Sequence, residues 1–103
     1  MKIIKKLSAM IEDELEGAEE YIKCALHEKE EDPTTADVFF ALAREEMGHM
    51  NKLHDIVTRK IREYRAENGD PPVAMQAVYD YLHETHMEKA ARIQWYITKY
   101  TEK

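Results

Sequence analysis

All three prolines of this 103-residue chain fall in two short stretches, Asp32-Pro33 and Asn68-Gly69-Asp70-Pro71-Pro72. Proline inside a helix loses a hydrogen bond and clashes with the preceding turn, so a chain that confines it this way is free to form long helices between. Asp32-Pro33 reads as a capping carboxylate followed by proline at the first helical position, where its missing N–H costs nothing. Asn68-Gly69 supplies a stop, and Asp70-Pro71-Pro72 a fresh start. The spacing predicts three helices, at about residues 2–31, 33–67 and 71–101, each roughly 40–50 Å long. Short connections make neighbouring helices antiparallel. The expected architecture is therefore all-α, one antiparallel bundle of three long helices occupying residues 1–103 as a single domain.

Apolar residues recur at alternating three- and four-residue steps, the pattern of a helix side that faces a bundle. In the first helix the stripe runs Ile4, Leu7, Ile11, Glu14, Ala18, Tyr21, Ala25, and in the second Phe39, Leu42, Glu46, His49, Leu53, Ile56. Both are interrupted near the middle by an acid or an imidazole. The neighbouring acids Glu12, Asp13, Glu16, Glu19 and Glu20 fall off the stripe and are expected on a solvated face. The third helix offers two stripes. One is Met75, Tyr79, Leu82, His86, Ala90, Ile93, Ile97, Tyr100; the other is Ala77, Tyr81, Glu84, Glu88, Ala91, Trp95. Two apolar sides suggest contact both with the hairpin and with a second subunit.

Reflection through the first turn places residue 14 level with about residue 51, and through the second turn with about residue 88. Glu14, Glu46, His49 and Glu88 are thereby expected in one layer, with His86 half a turn from Glu88. An unpaired carboxylate in a helix interface costs several kcal/mol, about 3–5 when a buried partner is missing, so such a layer calls for a proton, a hydrogen bond or a cation. Several carboxylates with one imidazole suit iron or manganese above all, more than the thiolate-rich sites of structural zinc. Glu46 and His49, spaced Glu-x-x-His, project from one side of a helix one turn apart.

These residues resemble the ferritin-like superfamily, its rubrerythrin and bacterioferritin branch in particular. Glu14, Ala18, Tyr21 and Ala25 are similar to that branch's first-helix pattern of glutamate, small residue, tyrosine and alanine. Ala43-Arg44-Glu45-Glu46-Met47-Gly48-His49 resembles its second-helix A-x-E-E-x-x-H, and Glu88-Lys89-Ala90-Ala91-Arg92-Ile93-Gln94-Trp95 looks like a ligand-glutamate helix with tryptophan in place of tyrosine. The resemblance implies a non-haem di-iron centre, with manganese or zinc as alternative metals, and oxidation of ferrous iron by dioxygen or peroxide. Glu14 and Glu88 would be terminal or bridging ligands, Glu46 a bridge, His49 a nitrogen ligand, and Tyr21 a hydrogen-bond donor to a ligand. The family's complete sites use four helices, and this chain supplies three. Either two chains pair to complete a four-helix core, as in the encapsulated-ferritin relatives, or His83 and His86 stand in; Glu84 competes with Glu88 on the same side. Asp80-x-x-His83 repeats the acid-x-x-His spacing with a shorter acid.

Other features narrow the partners. A net charge of −6 argues against binding nucleic acid through its phosphates. No apolar run approaches the roughly 20 residues of a membrane span. A single cysteine, Cys24, excludes an internal disulfide and fits a reducing compartment, so the cytoplasm is the expected location. A domain this small buries roughly two-thirds of its unfolded surface, which favours a homodimer or larger homo-oligomer. The competing expectation is a non-catalytic helical interaction module with a structural or vestigial metal site.

Overall fold

The computed structural model describes residues 1–102. It contains α1 (Lys2–Glu28), α2 (Pro33–Asn68) and α3 (Val73–Thr101). Among the described residues there is no strand. Asp32 caps α2: its side chain accepts from the Thr35 backbone N–H at 3.2 Å and from the Thr35 hydroxyl at 2.6 Å, with Pro33 opening the helix. That geometry is costly to lose, and it holds the Asp32 carboxyl below its ordinary range. Gly69, at φ 75°, ends α2 with its N–H bonded to the Arg65 carbonyl at 2.9 Å. α1 stops at Glu28, three residues earlier than its spacing predicts. Residues 29–31 form a turn that the Asp32 N–H closes onto the Glu28 carbonyl, because the residue before a proline is driven out of the helical region. α3 begins at Val73, after both prolines, with Pro72 at the cap.

The 36 residues of α2 span about 54 Å, and the molecule measures 55 × 18 × 17 Å. Its radius of gyration, 16.5 Å, exceeds the roughly 13 Å of a compact domain this size. The bundle is a rod. α2 runs antiparallel to α1 along a tight hairpin, and α3 returns parallel to α1, packing mainly on α1 and sparsely on α2.

Two apolar clusters hold the rod together. The central one joins Ile11, Leu15 and Ala18 of α1, Met50 of α2 and Ile93 of α3. The second lies near the α1–α2 turn and joins Ile22, Ala25, Ala36, Ala43 and Tyr100. Alanines 18, 25, 36 and 43 are wholly buried, and side chains that small let the two helix backbones come close. Phe40 and Tyr100 stack at 4.6 Å between ring centres, and the Tyr100 hydroxyl donates to Asp37. Burial and that carboxylate push the Tyr100 hydroxyl up to about 12.

The buried stripes differ from those the periodicity suggests by a small rotation of each helix. Leu15 and Ile22 are buried where Glu14 and Tyr21 were expected, and Ala36, Ala43 and Met50 form the buried row of α2. Glu14, Tyr21 and Glu46 lie half-buried along the edge of the α1–α2 interface, and His49 is exposed. In α3 the stripe with Tyr79, His86, Ile93 and Tyr100 faces the bundle. The other stripe, Ala77, Tyr81, Glu84, Glu88, Ala91 and Trp95, is exposed along its whole length.

Candidate metal centre

Glu14 reaches over the α1–α2 edge toward Glu46 and His49, which stand one turn apart on α2. Their donor atoms lie within 4.8 Å of one another. The His49 Nδ1 is 3.3 Å from Glu14 Oε2 and 3.7 Å from Glu46 Oε1. Donors that share one ion at bonds of about 2.0–2.2 Å stand no further than about 4.4 Å apart. Small rotations of three side chains at the edge of the bundle therefore satisfy a single cation. The side chains are 25%, 26% and 54% exposed, for Glu14, Glu46 and His49 in turn, so the group is open to ions from solution.

Gly17 makes room for this arrangement. A Cβ at that position would sit 2.8 Å from Glu46 Oε2, well inside contact distance. Glycine within a helix costs about 1 kcal/mol relative to alanine, and here the missing methyl is the space the carboxylate occupies. The Glu14 carboxyl, which shares a hydrogen bond with Glu46, raises the Glu46 proton affinity. Partial burial and the Glu14 charge act in the same direction, and His49 opposes them. Among the described residues no lysine or arginine forms an ion pair with Glu14 or Glu46. Two carboxylates held together, with one imidazole and no basic side chain, form a donor set that fits a hard or borderline divalent cation.

The other expected ligands lie elsewhere. His86 is buried against α1, with Nε2 3.4 Å from Glu12 Oε2, and Lys89 pairs with the same carboxylate. Burial lowers the His86 proton affinity, and Glu12 partly offsets it. Glu88 and Glu84 point outward on the exposed stripe of α3. His83 meets His54 of α2. The ring of Tyr21 stacks with Phe39 at 6.3 Å, and among the described residues its hydroxyl has no hydrogen bond to the three-residue group. One chain thus brings together Glu14, Glu46 and His49, and leaves His86 and Glu88 outside. Glu12 and Glu19 correct the expectation of a solvated acidic face: Glu12 is tied to His86 and Lys89, and Glu19 accepts from Arg92 at 2.9 and 2.7 Å. Sequence reasoning missed Gly17, although a glycine one turn beyond Glu14 inside a long helix was a readable signal.

Comparison of the chain with protein-family models, with curated proteins and with solved structures returns no match. Among the described residues no helix is long and apolar enough to cross a membrane.

Proposed function

We propose that the protein is a ferritin-like non-haem iron protein, binding two iron ions, or iron and manganese, between two copies of the chain. The observation that carries this reading is the convergence of Glu14, Glu46 and His49, with no lysine or arginine paired to either acid among the described residues. Each copy contributes these three residues, and pairing across the α1–α2 edge sets two such groups face to face in a four-helix core. The edge suits pairing: Met10 is 42% exposed, and Phe39, Leu42 and Ile56 are only half-buried around the acidic group. An apolar border around an open polar centre is characteristic of an interface between chains.

When bound, iron supplies the electrons that dioxygen or peroxide takes up, ferrous ion being the substrate and ferric ion the product. The protein's part is electrostatic. Glu14 and Glu46 bring negative charge that stabilises the higher oxidation state, and His49 supplies a neutral nitrogen that leaves positions open. Gly17 keeps the Glu46 carboxylate close to the helix axis of α1. Aerobic addition of ferrous iron tests the reading: a ferric absorbance should grow faster than in buffer, with metal-dependent dimers in solution. Absence of stoichiometric iron or manganese uptake, with Glu46→Ala indistinguishable from the parent, would overturn it.

The exposed stripe of α3 favours a second reading, a helical interaction module without redox chemistry. Tyr81 and Trp95 are 68% and 57% exposed there. Thermal stabilisation by zinc or calcium without any change in iron oxidation rate would select that reading.

A further inference from the structure

The two apolar clusters leave one end of the rod unfilled. Ile4, Ile61 and Leu82 belong to neither, and a cavity of about 180 Å³ opens between the three helices there. We propose that this cavity binds one small neutral molecule of the phenol class, a single ring bearing a hydroxyl. Every helix contributes apolar wall: Ile4 and Ile11 from α1, Val57 and Ile61 from α2, Leu82 from α3. An apolar cavity of about 150 Å³ stays dry and binds benzene, so this one has room for a ring with one substituent. α3 packs only sparsely on α2, which makes their seam the route of entry.

The polar part of the lining selects the substituent. His54 Nε2 and His83 Nδ1 are 3.2 Å apart, and with both rings neutral one donates to the other. Whichever donates, the two nitrogens left over are one donor and one acceptor. A hydroxyl complements both, whereas a carboxylate only accepts and an ammonium only donates. Among the described residues no lysine or arginine lines the cavity, so an anion finds no counter-charge there. Asp80, the acid of the lining, lies exposed at the rim, where its Oδ1 accepts from Gln76 at 2.8 Å, and Arg65 donates to Gln76 at 2.7 Å. His86, the third imidazole of the lining, faces Glu12 of α1, and burial holds it neutral. Apolar walls with a neutral donor–acceptor pair are the lining of a small-molecule site.

The metal-free full chain tests this apart from the iron reading, since no residue of the cavity belongs to the Glu14 group. Phenol followed by NMR should saturate at one molecule per chain. It should bind about tenfold more tightly than benzene, the margin of a single hydrogen bond. Benzoate and benzylammonium, built on the same ring, should bind at least about tenfold more weakly than phenol, because neither charge is matched inside. His83→Leu, at an exposed position, should remove the margin between phenol and benzene. Ile61→Trp, which puts a ring of the chain's own into the space, should abolish the binding of both. Phenol that never saturates, that binds no better than benzene, or that binds a cooperatively melting Ile61→Trp chain as it binds the parent overturns the proposal. So does phenol binding that weakens as protein concentration rises, the mark of a cavity filled by a second copy.

Discussion

Glu12 and Glu14 stand two residues apart on α1 and face opposite electrostatic surroundings. On the α3 side, Glu12 is matched by Lys89 and His86, and Glu19 by Arg92 and Lys23. Burial pulls the Glu19 carboxyl up, but the two basic side chains outweigh it and hold it below its ordinary range. On the α2 side, Glu14 meets Glu46, and among the described residues the nitrogen paired with them is the His49 imidazole. One flank is neutralised by the chain itself. The other keeps an excess of negative charge at a place where a helix-interior glycine makes room for it. Acids that only solubilise a helix need no such accommodation, so the contrast between the flanks supports the proposed cation beside Glu14 and Glu46.

The sharpest way to break this comparison is to delete one acid from each flank. Glu46→Ala should weaken iron or manganese binding at least about 100-fold, because it removes a ligand of the proposed site. Glu12→Gln should leave that binding unchanged within error while loosening α3. Equal effects of the two substitutions, measured by metal content after dialysis, would erase the distinction between the flanks.

His86 gives the next largest effect. His86→Ala should cost about 2 kcal/mol in chemical unfolding, from the lost packing and the lost partner of Glu12. The parent should also lose stability in acid. The folded state holds His86 below its ordinary value near 6.5, so the unfolded chain binds the proton more readily. Stability is complete above that pH and falls as the pH drops through it toward the lower folded value. Glu12, Lys89 and His54 are the charged or titratable groups that act on His86. A profile flat from pH 7 to 5 in the parent would contradict the burial of a neutral imidazole.

Much of the fold was legible because it rests on local chemistry. Asp32-Pro33 and Gly69 set the turns, and turn positions with a constant rise per residue fix which residues share a level. Glu14 and His49 do meet, and Glu12 lies beside His86 and Lys89, within a turn of the levels reckoned from the turns. Azimuth was less legible. A rotation of a fraction of a turn exchanges Leu15 for Glu14 and Ile22 for Tyr21 in the buried row, and periodicity alone does not resolve that difference. In α3, two stripes of similar apolar content competed, and the side bearing Glu88 faces outward. The uncovered side of a helix and the covered one obey the same spacing rule, so only the packing of Ile93 and Tyr100 decides between them.

Gly17→Ala separates the two flanks by a smaller margin. The added methyl would meet Glu46 Oε2, the mobile end of a side chain, so the carboxylate swings away and the helix is undisturbed. Metal affinity should fall about tenfold, while the metal-free protein gains about 0.5–1 kcal/mol from the better helix former. A variant that is less stable and binds metal normally would show that Gly17 serves packing alone.

The smallest effect is also the most discriminating, because its sign depends on metal. Glu46 holds its proton more tightly in the folded state than its ordinary value of 4.5 implies, through the hydrogen bond with Glu14, partial burial and the Glu14 charge. The metal-free parent should therefore lose stability as pH rises from that value through the raised one, and then level off. Glu46→Gln removes the second charge and keeps the shape, so at pH 7 it should stabilise the metal-free protein by a few tenths of a kcal/mol. With iron or manganese present the order reverses: the parent gains the binding free energy, and the variant, lacking the second carboxylate, gains little. Melting curves of both proteins with and without metal should cross in this way. If the parent is the more stable under both conditions, the two acids are comfortable side by side without a cation, and the unmatched flank of α1 is an ordinary polar edge.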